Sequence, residues 1–378
     1  MNEKRFFPKA SELIYKKLLA KIFFRIEPEA IHESMVKFGE QLGKSKNIKK
    51  FFSTRLAIED RSLRQTIVGI KFVNPVGLAA GFDFEARLSQ ILPSLGFGFE
   101  TVGTITNFEY EGNTRPMLAR LPKSKAIMVN KGFKNLGAKK TIEKLEKLSF
   151  KIPVGISIGR SNNPKCNTQE KSVSDIVKTF KLFEQSGVKS SYYELNISCP
   201  NLHGNITFYP PNELDILLSK IDKLRLKKPV FVKMPPEKSN EKVMEMLKII
   251  EQHSPKGVIF TNITKDRSNK LLNRKELEGL PDGIGSFSGK PTEKRANELI
   301  KLAYKNFGKS LVVIGCGGVF SARDAYEKIK LGASLIQLIT GMIYEGPQLI
   351  SQINSELIDL IKKDGFKNIS EAIGASVK

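Results

Sequence analysis

Short apolar runs alternate with longer amphipathic segments along most of the chain, starting near residue 67. The segments between the runs, such as 173–185 and 240–253, space their apolar residues at helical intervals. Repeated strand-then-helix units predict parallel strands covered by helices, and eight units close most naturally into a (β/α)8 TIM barrel. A doubly wound open sheet is the alternative, although no Gly-x-Gly-x-x-Gly fingerprint follows the first run. The eight runs are 76–80, 99–103, 154–158, 193–197, 230–234, 257–261, 311–315 and 333–338.

The chain has 378 residues and a formal net charge of +23, which is unusually basic. Nucleic-acid binding, an anionic membrane surface and simple solvation of surface lysines are the three explanations. The lysines are spread along the whole chain and no zinc-finger, RRM or KH signature is present, so solvated lysine ranks first and nucleic acid last. The three cysteines have no metal-ligand spacing, so we predict neither a metal site nor a disulfide framework, and a reducing cytoplasmic setting suits them.

The N-terminal region predicts two basic amphipathic helices. Residues 11–26 carry an apolar stripe with basic residues every four positions on the opposite face, and Pro28 opens a second helix. Such helices pack on a domain, or lie on a membrane with their lysines toward anionic headgroups. No run approaches the roughly twenty apolar residues of a membrane-spanning helix.

The domain organisation follows from these patterns. Residues 43–53 are basic and polar and are interpreted as a linker. We therefore expect an N-terminal amphipathic helical segment over 1–50 and the barrel over 51–378. Two connections, 104–150 and 262–292, are longer than the others, and inserted length after a barrel strand is where sites are elaborated.

Glycine-rich loops follow the last two predicted strands. Gly315-Cys316-Gly317-Gly318 follows the seventh strand and Thr340-Gly341 follows the eighth. Glycines let backbone N–H groups approach an anion, and these two barrel loops often hold a phosphate, although tight turns alone also use glycine. Lys233 ends the fifth strand, where a cation can stabilise negative charge on a cofactor or substrate. A salt bridge at the rim is the alternative for this lysine.

Cys199 lies in a loop that leaves the fourth strand. The thiol can serve as a base or a nucleophile, and an inert buried cysteine is the usual alternative. His203 is close enough in sequence for a Cys–His pair, although no acyl-transfer pattern surrounds it. Side-chain amides can read a ring with adjacent N–H and C=O groups, or simply cap turns. The candidate amides near strand ends or in the first long connection are Asn130, Asn196, Asn201 and Asn262.

Several stretches recur in order at the predicted strand ends, and together they resemble the dihydroorotate dehydrogenase family from about residue 13 to 355. Any one stretch alone would be a weak signal, whereas the ordered set is highly specific. The stretches are 74–83 (NPVGLAAGFD), 112–116 (GNTRP), 132–137 (GFKNLG), 196–201 (NISCPN), 261–262 (TN), 288–291 (SGKP), 315–318 (GCGG) and 332–337 (GASLIQ).

The resemblance implies an FMN-containing barrel that oxidises (S)-dihydroorotate to orotate in pyrimidine synthesis. It implies that Cys199 removes the C5 proton while a hydride passes from C6 to the flavin N5, and that Lys233 stabilises the reduced flavin. Implied substrate contacts are Asn130, Phe133, Asn196, Asn201 and Asn262. Implied FMN contacts are Ala79, Ala80, Gly81, Thr104, Ser157, Asn196, Lys233, Thr261, Ser288, Gly289, Gly317, Gly318, Thr340 and Gly341.

The N-terminal helices resemble those of the membrane-associated, quinone-using class 2 members, including the stretch 27–32 (EPEAIH). This implies a quinone tunnel with His32 and Arg120 near the quinone ring, and a peripheral location on the cytoplasmic side of a bacterial cell membrane. Class 2 members usually carry a serine base, then asparagine and threonine, where this chain has Cys199, Asn201 and Leu202. A cysteine base is a class 1 feature, so a class 2 frame surrounds a class 1-like centre.

Four further positions depart from the family pattern. Phe84 replaces a lysine that usually follows Phe-Asp, and Ser157 replaces a flavin-contacting asparagine. Ile263 replaces a substrate-contacting threonine, and Ile339 replaces a tyrosine near the quinone. These departures keep two alternatives open, namely an FMN barrel acting on a different dihydropyrimidine and a degenerate, non-catalytic membrane-bound barrel. The intact thiol, lysine and glycine loops argue against the second alternative.

Overall fold

A closed barrel of eight parallel strands forms the centre of the computed structural model, which describes residues 3–204 and 206–377. The barrel strands are β1 (Val76–Leu78), β2 (Phe99–Ile105), β3 (Val154–Gly159), β4 (Tyr192–Asn196), β5 (Val230–Lys233), β6 (Gly257–Phe260), β7 (Val312–Cys316) and β8 (Leu335–Leu338). Each strand pairs with the next, and β8 pairs with β1 to close the ring. The predicted (β/α)8 barrel is confirmed, and all eight predicted runs overlap a barrel strand.

A hairpin and a layer of large side chains close the N-terminal end of the barrel. Gln65–Ile67 pairs antiparallel with Ile70–Phe72, and the Phe72 ring meets the edge of Phe99 with 5.5 Å between centroids. Because this end is packed solid, the C-terminal ends of the strands are left to form a site. The buried cluster beside the hairpin includes Phe99, Tyr192, Phe231, Ile259, Ile314 and Leu335.

Amphipathic helices alternate with the strands and bury their apolar faces against the barrel. In Gln169–Gln185, Phe180 and Phe183 are completely buried, and burial of one such side chain contributes about 1.5–3 kcal/mol. Thr168 caps this helix by accepting a hydrogen bond from the backbone N–H of Lys171. The outer helices are Ala138–Leu145, Gln169–Gln185, Pro211–Asp222, Asn240–Gln252, Glu293–Phe307, Ala322–Lys330 and Leu349–Lys363. Shorter helical segments are Arg61–Leu63, Leu92–Leu95, Pro164–Cys166, Arg274–Glu278, Lys290–Thr292, Thr340–Glu345 and Ile369–Ala372.

Helices also form the N-terminal extension, as predicted. Glu3–Ile14 continues through a π-helical turn, Tyr15–Leu19, into Ala20–Phe23, and the next helix, Pro28–Lys44, begins at its proline. None of the helices in the described part of the chain combines the length and apolar character needed to span a bilayer.

The predicted linker at residues 43–53 is wrong, because Lys46–Leu56 is a helix. Ser45 caps it by accepting a hydrogen bond from the backbone N–H of Ile48 at 3.3 Å. Leu56 is only 3% exposed, and Phe52 packs against the main core. The basic residues that suggested a linker therefore form the outer face of an amphipathic helix.

Hydrogen bonds fasten the extension to the barrel at two distant points. Gln352, in the last long helix, donates from Nε2 to Oε2 of Glu12 at 2.7 Å. Glu29 accepts from the backbone N–H groups of Met117 at 2.7 Å and Leu118 at 2.9 Å. The helix that begins at Pro28 is thus held against the first long connection.

The two long connections build a small sheet outside the barrel. Leu118–Leu121 and Ala126–Val129 form a hairpin between β2 and β3, and Ser286–Gly289, between β6 and β7, pairs antiparallel with Ala126–Val129. Both connections leave C-terminal strand ends, so the elaboration predicted for this face is observed there.

Candidate active site

One cavity of about 880 Å³ is lined by the N-terminal helices and by the C-terminal strand ends together. A second cavity, about 80 Å³, lies at the glycine loops and shares part of this lining, including Ala80, Lys233, Asn262 and Ser288. The N-terminal helices contribute mainly apolar side chains to the larger cavity, among them Phe7, Tyr15, Leu19, Phe24, Ile31 and Met35.

Most of the predicted site residues line one of these two cavities. The larger cavity collects His32, Ala80, Gly81, Thr104, Arg120, Phe133, Asn196, Cys199, Asn201, Lys233, Asn262 and Ser288. The smaller cavity collects Ala79, Ala80, Lys233, Thr261, Asn262, Ser288, Gly289, Gly317, Gly318, Thr340 and Gly341. Asn130 and Ser157 are buried and contribute to neither wall.

A chain of hydrogen bonds links polar side chains from β2, β3, β4 and the loop after β6. The hydroxyls of Ser157 and Thr104 lie 2.9 Å apart, and Nδ2 of Asn196 donates to Thr104 Oγ1 at 2.9 Å. Nδ2 of Asn262 donates to Oδ1 of Asn196 at 3.1 Å and to Oγ of Ser198 at 2.9 Å. These amides are fixed before any ligand arrives, which is the arrangement an oriented binding site requires. Ser157 therefore influences the cavity by holding the hydroxyl of Thr104, which lines it.

Asn201 and Asn130 make most of their side-chain hydrogen bonds within the protein. Asn201 donates from Nδ2 to the carbonyl of Val129 at 2.8 Å and accepts from Ser286 Oγ at 3.1 Å. Asn113 donates from Nδ2 both to Oδ1 of Asn130 at 3.0 Å and to the carbonyl of Asn201 at 2.9 Å. Asn113 thus ties the two loops together, and its position in the 112–116 stretch was the sequence signal for it.

Cys199 lines the larger cavity, just beyond β4. Burial raises the pKa of its thiol to about 11, while a backbone hydrogen bond at Asn201 and the charges of Arg160, Lys265 and Lys233 act in the opposite direction. The thiol is therefore protonated near neutral pH without a ligand. The conceivable pair with His203 does not form, because that imidazole is exposed and its Nε2 lies 3.4 Å from the Tyr110 hydroxyl.

Lys233 is a buried cation that lines both cavities. It is the last residue of β5 and is only 4% exposed. Among the residues that the structure describes, its ammonium has neither a hydrogen bond nor an ion pair. An unpaired buried charge is costly, so this position points to an anionic or electron-rich ligand. The alternative of a salt bridge at the rim is not observed.

The glycine loops bring free backbone donors to the smaller cavity. Gly317 and Gly318 have φ angles of +111° and +73°, which only glycine adopts readily. A Cβ at Gly318 would come within 2.3 Å of Glu293 Cβ, so only glycine fits at this position. Neither N–H donates to another group in the described part of the chain. This geometry suits a bound anion.

His32 and Arg120 lie where the extension meets the barrel face. Nε2 of His32 donates to the carbonyl of Phe82 at 2.9 Å, and burial together with the charge of Lys131 lowers its pKa to about 3. Arg120 donates from Nη1 to the carbonyl of Phe23 at 2.6 Å and from Nη2 to that of Ile26. Both side chains line the larger cavity.

Lys131 also lines the larger cavity, although its sequence context gave no reason to single it out. It follows Asn130 and is only 8% exposed. A lysine in a polar connection is usually solvated, whereas this one lies over the Phe84 ring and close to the helix Pro28–Lys44.

Comparison with known proteins agrees with this geometry. A family model described as dihydroorotate dehydrogenase matches residues 62–361. The dihydroorotate dehydrogenase (quinone) of Trichodesmium erythraeum is 34% identical, over 97% of this chain and 99% of that protein. The same-named protein of Christiangramia forsetii is 36% identical, over 92% of this chain and 99% of its own length. Among solved structures, DHODH from Eimeria tenella in complex with ferulenol has a TM-score of 0.81 at 26% identity, covering 93% of this chain and 96% of that one. The chain therefore belongs to the dihydroorotate dehydrogenase family.

Proposed function

We propose that this protein oxidises (S)-dihydroorotate to orotate in pyrimidine synthesis, with bound FMN as the first electron acceptor and a membrane quinone as the second. The observation that carries the proposal is a large cavity in which Cys199, Lys233 and the asparagine network share a wall with the N-terminal helices. Two substrates that react in turn can both reach such a cavity. The relatives named as quinone-dependent dihydroorotate dehydrogenases support the choice of both substrates.

The residues at the smaller cavity fit a flavin mononucleotide. Enzymes of this family generally depend on a flavin, and FMN, when bound, supplies the two-electron redox chemistry. We infer that the free N–H groups of Gly317 and Gly318, with those of Thr340 and Gly341 at the start of a short helix, hold the phosphate. Lys233 then supplies positive charge beside the ring. The remaining contacts proposed for the ring are Ala79, Ala80, Gly81, Thr104, Asn196, Thr261, Ser288 and Gly289. Ser157, expected as a further contact, would instead hold the Thr104 hydroxyl in place.

Asn196 and Asn201 each retain an amide N–H after their internal hydrogen bonds, and both line the larger cavity. We infer that these groups, with Asn262 and Phe133, orient the substrate ring. Asn130 contributes by holding the loop through Asn113 rather than by lining the wall. An amide network with fixed positions presents its donors to the ligand without reorganisation.

Cys199 is the base in this proposal. Its thiolate takes the proton from C5 of the substrate, so an S–H bond forms and the C5–H electron pair becomes the C5=C6 double bond of orotate as C6 gives up its hydride. Arg160, Lys265 and Lys233 stabilise the thiolate against the effect of burial. A thiolate base does not need a neighbouring hydroxyl to relay its proton. The apolar Leu202 in the following loop is consistent with this.

We propose that residues 1–50 are the membrane-facing and quinone-binding part and residues 51–378 the FMN-binding barrel. Large apolar side chains that are exposed to solvent concentrate in the first part. They are Phe6, Leu13, Ile14, Leu18, Ile22, Ile26 and Phe38, whereas six others, beginning with Phe51, are spread over the much longer rest of the described chain. Apolar residues beside many lysines are typical of helices that lie on anionic membrane surfaces. This supports a peripheral location on the cytoplasmic side of a cell membrane, with His32 and Arg120 close to the quinone.

A different dihydropyrimidine is the second candidate substrate. Ile263 lines both cavities, so an apolar side chain adjoins the proposed ring position. A hydrophobic wall would favour a substrate with an apolar substituent over one with a carboxylate.

Anaerobic titration of the purified holoprotein tests the proposal. We expect a flavin absorbance spectrum that bleaches with dihydroorotate and returns with a quinone, but not with fumarate or NAD. Bound flavin that bleaches only with 5,6-dihydrouracil or dihydrothymine would favour the second candidate. A protein that binds no flavin would contradict the proposal and support a non-catalytic barrel.

A further inference from the structure

Lys131 is a second buried lysine whose amino group has no hydrogen-bond or ion-pair partner in the described part of the chain. It lines the larger cavity and is 8% exposed. Its Nζ lies 4.4 Å from the centre of the Phe84 ring, and it makes neither a hydrogen bond nor an ion pair within the described residues. A cation–π contact of this kind offsets only about 0.5–2 kcal/mol of the cost of burial. The ammonium is therefore arranged to meet a ligand.

Three other polar side chains that line the cavity, those of His32, Arg120 and Tyr15, already have partners. The one N–H of neutral His32 is used by the carbonyl of Phe82, and this imidazole has its pKa lowered to about 3. Arg120 is bonded to two carbonyls of the extension and stays charged throughout the neutral range. Tyr15 donates its hydroxyl hydrogen to the carbonyl of Ile343 at 2.6 Å. His32 and Arg120 can position a quinone here, but neither is suited to give it a proton.

We propose that Lys131 binds one oxygen of the quinone and donates a proton to it when the quinone is reduced. The inference rests on the proposed function. Reduction of a quinone forms two O–H bonds. Reduced flavin, when bound, would supply one hydrogen together with the electron pair. The other hydrogen leaves Nζ of Lys131 as a proton, and its N–H electron pair stays on nitrogen. Water then returns a proton to the amine, while the proton held by Cys199 leaves to solvent.

Charged groups around Lys131 favour proton donation near neutral pH. Burial and the nearby charge of Lys134 lower its pKa to about 7, whereas Glu29 and Glu33 on the helix Pro28–Lys44 act in the opposite direction. On the loop beside it, Arg87 is paired with Glu33 at 2.6 Å and with Glu40 at 2.8 Å. His32, the remaining titratable group there, is neutral. A general acid is most effective when its pKa lies near the working pH.

Stopped-flow measurement of the two half-reactions separates this inference from the proposed function. In Lys131→Met we expect bleaching by dihydroorotate to match the wild type, and reoxidation by menadione to slow about 100-fold or more, the usual contribution of a general acid. Wild-type reoxidation should fall as pH rises through about 7, because only the ammonium form donates. Lys131→Arg keeps the charge but holds its proton, so its reoxidation should be slow and lack this pH dependence.

Two controls make the result specific. Lys139→Met removes an exposed lysine from the neighbouring helix Ala138–Leu145 and should behave as wild type. Equilibrium binding of menadione to the oxidised protein, without turnover, should weaken in Lys131→Met and survive in Lys131→Arg. The inference would be overturned if Lys131→Met were reoxidised at the same rate as the wild type, or if both half-reactions slowed equally in this variant. A wild-type protein that does not bleach at all would instead overturn the proposed function.

Discussion

The side-chain amide of Asn262 donates to that of Asn196 at 3.1 Å, which joins the loop after β6 to the end of β4 across the mouth of the barrel. The same Nδ2 also donates to Ser198 Oγ, directly before Cys199 in the chain. The residue before Cys199, the proposed base, is therefore held by the same network as the two amides.

Replacing Asn262 by alanine removes both of these hydrogen bonds. We expect the apparent Kd for dihydroorotate in the bleaching reaction to rise about 10- to 100-fold, since one bond to a charged or strongly polar ligand contributes about 1.5–3 kcal/mol. The measurement is the dependence of the bleaching rate on dihydroorotate concentration. Asn306→Ala, on the outer helix Glu293–Phe307, is the matched control and should bleach normally. An Asn262→Ala protein with wild-type affinity would mean that the network is only structural.

Cys199→Ala should slow bleaching about 100- to 10,000-fold while FMN stays bound, because a general base usually contributes that factor. In the wild type, the bleaching rate should rise with pH up to about 11, since the thiolate is the active form and burial holds the pKa of the thiol above its ordinary value. Cys166→Ala serves as the control, because Cys166 lines neither cavity. A flat pH profile, or unchanged bleaching in Cys199→Ala, would remove this thiol from the mechanism.

Lys233→Met should leave the cavity intact but without its cation beside the flavin. We expect bleaching to slow about 100- to 1,000-fold and the midpoint potential of the bound flavin to fall, because negative charge on the ring loses its stabilisation. Both quantities can be measured spectrophotometrically. Lys228 lies just before the opposite end of the same strand. Lys228→Met is therefore the control and should change neither the bleaching rate nor the potential. An unchanged potential in Lys233→Met would argue that the ammonium does not adjoin the ring.

Leu18→Glu combined with Ile22→Glu should release the protein from membranes without impairing dihydroorotate oxidation. Both side chains are exposed and neither lines a cavity. Each large apolar side chain contributes about 1.5–3 kcal/mol when it leaves water, so binding to vesicles of anionic phospholipid should drop more than about 100-fold. Ile216→Glu changes an equally exposed residue on an outer helix and should bind vesicles as before. Equal binding of both variants would point to a different membrane-facing surface.

The barrel could be predicted from sequence because its strands are short, largely apolar runs that alternate with amphipathic segments. The helix Lys46–Leu56 could not, since its polar residues dominate the local composition and only Phe52 and Leu56 pack inward. Asn201 lines the larger cavity, but its internal bond to Val129 depends on a hairpin with no local signature. The burial of Lys131 is a tertiary effect, because the helix that covers it lies about a hundred residues earlier in the chain.

The hydrogen bond between Glu12 and Gln352 spans 340 residues of sequence. During synthesis, the extension leaves the ribosome well before its docking site on the helix Leu349–Lys363 is made. Folding that depends on contacts so distant in sequence is slow, and an apolar segment without its partner is prone to associate elsewhere. We therefore expect the extension to meet a lipid surface or a chaperone before it meets its own barrel.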